Sequence, residues 1–392
     1  MVHWRKVLLG ASLVAIVASA CGGGAPTATT NATTAPTTAA SAAPLEQFDE
    51  AGLLAAAKKE PPLVTLNNSG IVTQVAEAFT KKYGLQVKGT KANTPTQVQQ
   101  VTREVQSGNV TLGVLSIEDG ATVQAQLLAQ GYVINYVPSD LAPNIAKDWQ
   151  NPLVQFFDGN VFTYNGELSS CPIKNAWDIT DPEWKGKFAW KDPLTTPQLL
   201  TWMSLMVSDD MPAKLEAAYK TKYGTALATT EKNAGYEFIK RIAANKPILA
   251  AADDDAAAAV GAPGQKSPPV GLMSLAKHGE APGKGQKLAV CKGVTPFWGY
   301  AYPRYTVIVK GTPSPNAAKL YVHFILTRDG TGPSIDDHGG IPALSTVTPG
   351  KVEFVGTRDD WERNLTFLLP KYNDRAWQLS QPLADFWRVS LK

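Results

Sequence analysis

Histidine and cysteine are scarce in this chain, four and three among 392 residues. No CxxC or HxxxH spacing accompanies Cys171 or Cys291, so the sequence offers no metal-binding framework. GxSxG is absent, and no histidine stands beside a serine or cysteine in a recognisable motif. A hydrolase would therefore lack a nucleophile and its base. No block of like charge occurs and the formal net charge is only +3. That removes the electrostatic case for a nucleic-acid partner. The apolar run Val7–Val17 falls short of the ~20 residues of a spanning helix. What is present, 44% hydrophobic and 18% charged residues, is the composition of a soluble globular protein. The length exceeds one ordinary core and suits two to three domains of ~100–200 residues.

The first twenty residues read as a targeting segment: Arg5 and Lys6, the short apolar run, then Ala18-Ser19-Ala20 before Cys21. The stretch resembles the lipobox of bacterial lipoproteins, with Ala18 where leucine is usual, and implies lipid on Cys21 and a place at the outer face of a membrane. An ordinary cleaved signal is the alternative. Residues 21–45, mostly Ala, Thr, Pro and Gly, cannot bury enough apolar surface to order themselves and read as a tether. With Cys21 assigned, an even pair of cysteines remains in an exported chain. This favours a Cys171–Cys291 disulfide over metal binding.

Along the folded part, helix 47–60 stops at Pro61-Pro62, and strand 63–66 leads into the turn-rich Asn67–Gly70. Val72, Val75, Ala76 and Phe79 then recur at helical spacing before a strand at 85–89. This strand–helix–strand unit predicts a parallel pair. Helix 96–107, strand 110–115, the loop Ser116–Gly120 and helix 121–130 follow. The run Val161–Tyr164 is read as the crossing from one lobe to a second. The second lobe takes strand 188–190, a helix after Thr195-Thr196-Pro197 capped by one of the threonines, helices 213–223 and 231–245, and strands 247–251 and 270–273. Strand 306–309 and helix 316–326 lead back out. In open α/β sheets ligands sit beyond the C-terminal strand ends, which points at Asn67–Gly70 and Ser116–Gly120.

This order of elements, with several local phrases, resembles extracellular solute-binding proteins of bacterial ABC importers, in the subgroup of ferric-iron, polyamine and thiamine binders. The phrases are Ala78–Gly84, Tyr164-Asn165, Trp177–Lys187 with Asp192-Pro193, Val309–Ala318 and Gly340–Ala343. The resemblance spans residues 60–390. It implies an α/β, two-lobed type II periplasmic-binding fold with a hinge and an interlobe ligand cleft. Lobe 1 would be 46–158 with 303–345, and lobe 2 would be 159–302 with 346–392. It implies capture of a small polar solute, with an amine-bearing one ahead, by hinge closure and delivery to a membrane permease. The expected partners are that solute, the permease and the lipid anchor, with no nucleic acid, no second copy, no cofactor and no catalysis. A sensing subunit, a ferric-iron binder and an exported hydrolase are the alternatives. Iron binders of this family carry adjacent tyrosines near the segment after Gly271-Leu272. Here Met273–Lys277 has none, and no Tyr-Tyr pair occurs.

Candidate ligand contacts are Asn68 and Ser69, Ser116 and Glu118, Asn165, Thr195 and Thr196, and Asp254 within Asp253–Asp255. Trp298, Tyr300 and Tyr302, ahead of the return strand, complete the set. Each has a plain reading beside it: helix cap for Ser69 and the threonines, turn for Asn165, solvated helix-start acid for Glu118 and the aspartates, packing for the aromatics. No arginine cluster marks the strand-end loops, which disfavours a phosphate-rich ligand. His278 and His338 read as surface or loop residues.

Overall fold

The computed structural model describes residues 46–336, 339–349 and 356–392. The targeting segment, Cys21, the tether and His338 lie outside the described residues. α1 (Glu50–Ala57) precedes β1 (Leu63–Asn67), α2 (Val72–Tyr83), β2 (Val87–Lys91), α3 (Thr94–Ser107) and β3 (Val114–Ile117). β1 lies between β2 and β3 and runs parallel to both, as the predicted crossover requires. α2 buries Val75, Phe79 and Tyr83, one face at helical spacing. The third strand begins later than the expected Val110. Glu104 on α3 accepts from the N–H groups of Thr111 and Leu112, at 2.8 and 3.0 Å, and so spends the donors that would have joined the ladder.

A single turn, α4 (Gly120–Thr122), runs into a π-helical turn (Val123–Leu128), and β4 (Val133–Ile134) follows. Next come β5 (Val154–Asn165), β6 (Phe188–Lys191), α5 (Pro197–Met206), α6 (Met211–Tyr223), α7 (Ala234–Ala244) and β7 (Ile248–Ala250). After these lie α8 (Asp253–Gly261), β8 (Val270–Ser274), α9 (Ala276–Glu280), β9 (Leu288–Val290) and β10 (Gly299–Val309). The chain ends with α10 (Pro315–Leu326), α11 (Arg328–Asp336), β11 (Ile341–Pro342), α12 (Arg358–Asn364), β12 (Leu365–Phe367) and α13 (Asn373–Ser390).

Among the described residues the sheet runs β2-β1-β3-β10-β5-β8-β6-β7. Its two wings are parallel triplets, β2-β1-β3 and β8-β6-β7. Between them lie β10 and β5, antiparallel to each other and to the flanking strands. Each wing with its helices is one lobe of a two-lobed type II fold, and β5 and β10, 12 and 11 residues long, serve both. The expected boundaries 158/159 and 302/303 fall inside these two strands. Val161–Tyr164 is only the far part of the crossing. Gly299 lets β10 start flush against β5: its φ is +155°, and a Cβ there would lie 2.0 Å from the Asn160 carbonyl oxygen.

One lobe buries Leu63, Phe79, Tyr321 and Phe324. The other buries Trp177, Trp190, Trp202, Phe238 and Trp387, with the Cys171–Cys291 disulfide among them. α13 packs on α5 and α7, while its first turn reaches the first lobe. There Gln124 Nε2 donates to Asp374 Oδ1 at 2.7 Å, and on the opposite side Arg375 forks onto Asp209 at 2.6 and 2.7 Å.

His278 corrects the sequence reading. It is 4% exposed on α9, with Nε2 3.0 Å from Thr163 Oγ1. Thr163 lies inside β5, so the imidazole faces the sheet and not solvent. Burial lowers its pKa from 6.5 to about 4. Between those values the unfolded chain binds a proton that the native state does not, so stability falls as pH falls through that window. At ~1.4 kcal/mol per unit the loss is roughly 3 kcal/mol. Urea unfolding at pH 7 and pH 4 should show this extra loss in the parent and not in His278→Gln. Equal losses would refute it.

Candidate ligand-binding site

The C-terminal ends of the six parallel strands meet on one cavity of about 310 Å³. From the first wing come Asn68 and Ser69 after β1, Lys91 at the end of β2, and Glu118 after β3. From the second come Lys191 at the end of β6, Asp253 and Asp254 after β7, and Ser274 at the end of β8. Asp158 on β5, with Tyr302 and Arg304 on β10, makes the floor. The starts of α3 and α5 also border the space, at Thr94 and at Thr196 to Gln198.

Arg304 organises the floor. Its side chain is 4% exposed. Nη1 donates to Asn67 Oδ1 at 2.8 Å, and Nη2 to Glu118 Oε1 and Asp158 Oδ2, both at 2.7 Å. Burial alone would favour losing the proton, but the Glu118 and Asp158 carboxylates outweigh it and raise the pKa well above the ordinary arginine value. Lys191 stands opposite, 3.0 Å from Asp253 Oδ2. Burial again opposes its charge. Asp253, then Glu118 and Asp158, more than compensate, and its pKa is raised. At formal charges these two cations and three carboxylates leave the floor one negative charge in excess. Asp119 borders the same space, where burial raises its carboxyl pKa although Thr122 Oγ1 donates to it. At the rim, Lys277 and Lys284 both bind Asp254, at 3.1 and 2.7 Å. The Lys284 hydrogen bond, ahead of the opposing burial, holds the Asp254 pKa below its usual value.

Of the residues singled out in the sequence, the structure gathers Asn68, Ser69, Glu118, Thr195, Thr196, Asp254 and Tyr302 on the cavity. Four lie elsewhere. Ser116 sits inside β3, 2% exposed, its carbonyl oxygen accepting from Gln97 Nε2. Asn165 is seven residues along β5 from Asp158, ~23 Å at strand rise. Its Nδ2 donates to the carbonyls of Val260 and Ala262, which ties the strand end to α8. Trp298 packs between two hydrophobic cores. Tyr300 is fully buried, stacked on Trp202 at 5.6 Å, with its hydroxyl accepting from Asn160 Nδ2 at 2.6 Å. Tyr300, Tyr302 and Arg304 share a face of β10, and only the last two reach the cavity.

Two expectations about the threonines and Asn68 also change. Thr196 is the N-cap of α5 without a side-chain bond, and Thr195 Oγ1 donates back to the Asp192 carbonyl at 3.2 Å. The Asn68 amide satisfies both ends internally when its nitrogen faces the Ser116 carbonyl and its oxygen the Thr94 N–H, each at 3.1 Å. Asp255 closes a capping bond to Ala252 N instead of facing the cleft. Arg304, Lys191, Asp158 and Gln198 were not singled out. An arginine inside the aromatic and β-branched run Gly299–Val309 was the available signal, since a charge in a central strand must be paired.

Residues 74–361 match the family model described as bacterial extracellular solute-binding protein. The sequence matches none of the curated proteins. Among solved structures, the fold is similar to iron-bound HitA from Pseudomonas aeruginosa: TM-score 0.65, 16% identity, covering 84% of this chain and 99% of that one. It is similar to AfuA from Actinobacillus pleuropneumoniae with exogenous fructose-6-phosphate bound, at TM-score 0.63 and 17% identity over 84% and 98%. The substrate-binding protein of an ABC transporter from Agrobacterium tumefaciens gives TM-score 0.65 and 14% identity over 87% and 97%. At these identities the likeness is one of fold.

Proposed function

The chain belongs to the bacterial extracellular solute-binding proteins, and from that premise we propose that it traps a small polar solute between its lobes by hinge closure. It then hands the solute to an ABC permease, held at the outer membrane face by lipid on Cys21. One observation carries the reading. Ionisable groups from both wings converge on a single cavity whose floor is two strands shared by both lobes. A ligand touching both walls favours the closed state by its differential affinity. The cavity volume lies at the small end of ligand pockets, ~300–1,000 Å³, and matches a metabolite rather than a peptide.

The negative excess of the cluster made by Arg304, Lys191, Glu118, Asp158 and Asp253 favours an amine-bearing or neutral polar solute over a phosphate ester. Ferric iron does not suit this lining, although the HitA neighbour is iron-bound. Tyr300 is sealed in the core, and among the described residues no three His, Cys, Asp or Glu side chains are grouped to hold a metal. The test is a thermal-shift panel on the detergent-solubilised full chain, with putrescine, amino acids, sugars, fructose 6-phosphate and ferric citrate. A solute at 100 times its Kd stabilises by ~2.7 kcal/mol and should contract the particle in small-angle scattering. A shift with ferric citrate alone would overturn the polar-solute reading, and chemical turnover of a bound solute would overturn non-catalytic capture.

A further inference from the structure

Gln198 is the second residue of α5, directly after Pro197. Helical side chains lean toward the helix start, and this one borders the cavity while only 2% of it is exposed. Neither Oε1 nor Nε2 has a hydrogen-bond partner. Buried amides are nearly always paired, so an amide with both ends open on a ligand cavity points to a partner from outside the chain. A second open acceptor, Asp253 Oδ1, borders the same space.

We propose that Gln198 is a ligand-contact residue, and that it reads a solute edge carrying a donor beside an acceptor. Such an edge is the N–H and C=O of a carboxamide or lactam, or a pair of neighbouring hydroxyls. Nε2 donates to the acceptor and Oε1 accepts from the donor, while Asp253 Oδ1 takes a further donor of the solute. A phosphate or carboxylate brings acceptors only: it meets Nε2, leaves Oε1 open, and faces the floor carboxylates. Gln198 is thus a specificity residue within the solute-binding reading, on which the inference rests.

The experiment compares the full chain with Gln198→Leu, using nicotinamide and myo-inositol as the two neutral probes and putrescine and inorganic phosphate as counter-probes. At least one neutral probe should raise Tm and shift the side-chain amide NMR pair that Gln198→Leu removes. The variant should bind that probe at least tenfold more weakly, with an unliganded Tm equal to or above the parent's, because no protein bond is lost. A sharply lower unliganded Tm would make Gln198 structural and overturn the proposal. So would retention of that affinity within threefold, tighter binding of inorganic phosphate than of either neutral probe, or no response to either neutral probe. Putrescine, which brings donors only, should lose less affinity in the variant than the neutral probe does; an equal or larger loss would overturn the paired-edge role and leave solute capture standing. Failure of the wider panel and of the scattering contraction is what removes solute capture.

Discussion

Arg304→Met is expected to cost about 3 kcal/mol of unfolding free energy, because it strands the buried Asp158 carboxylate beside the half-buried Glu118. Asp158 and Glu118 are both held by the one Nη2, and Asn67 by Nη1. Lysine is no substitute. Its single ammonium lacks the planar fork that meets three acceptors on three strands or strand ends. The combination of Arg304→Met with Glu118→Gln and Asp158→Asn removes the stranded charges together with their partner and should recover most of the loss. Urea titrations of the single and combined variants decide the matter. A single-variant loss below about 1 kcal/mol, or no recovery, would show that the cluster is solvated rather than buried.

Replacing both Cys171 and Cys291 with alanine is the second large effect. The bond closes a loop spanning 120 positions, for which the chain-entropy model gives ~5 kcal/mol; native disulfides of this kind typically deliver 2–4. The cystine also packs in the core around Trp177 and Phe297, so alanine removes buried volume as well. Neither cysteine borders the cavity, and ligand affinity at 25 °C should be unchanged. A denaturation midpoint within error of the parent's, or a tenfold affinity loss, would contradict the assignment of the bond to stability alone.

The fold was legible where period and punctuation agreed. α2 shows its apolar face in Val72, Val75, Ala76 and Phe79, and the Lys-Lys-Tyr-Gly ending matches its left-handed Gly84 stop. Residue order along the chain carried the resemblance to a family, and the wings with their strand ends followed. The site was legible only where it lay in loops. Ser69, Glu118 and Asp254 follow strand ends, so a rule about strand ends finds them. Arg304 and Asp158 sit within strands, where sequence gives no sign of which face opens on a cleft and which on a core. The same ambiguity misplaced Tyr300, which shares a face with Tyr302 but lies two residues deeper. Gln198 escaped notice because a glutamine in a first helical turn is ordinary. Only the loss of solvent and of partners distinguishes it, and both are three-dimensional facts.

α13 serves both lobes. It supplies the cover for α5 and α7, and its Asp374 accepts a bond from Gln124 Nε2 in the first lobe. Without it, the Trp202 face of α5 has no Trp387 side to close against. Each lobe therefore depends on segments far along the chain: the first on β10 and α10, which bring Tyr321 and Phe324 into its core, and the second on α13. Truncation before α13 would thus remove Leu383 and Trp387 from the second lobe's core rather than a dispensable tail.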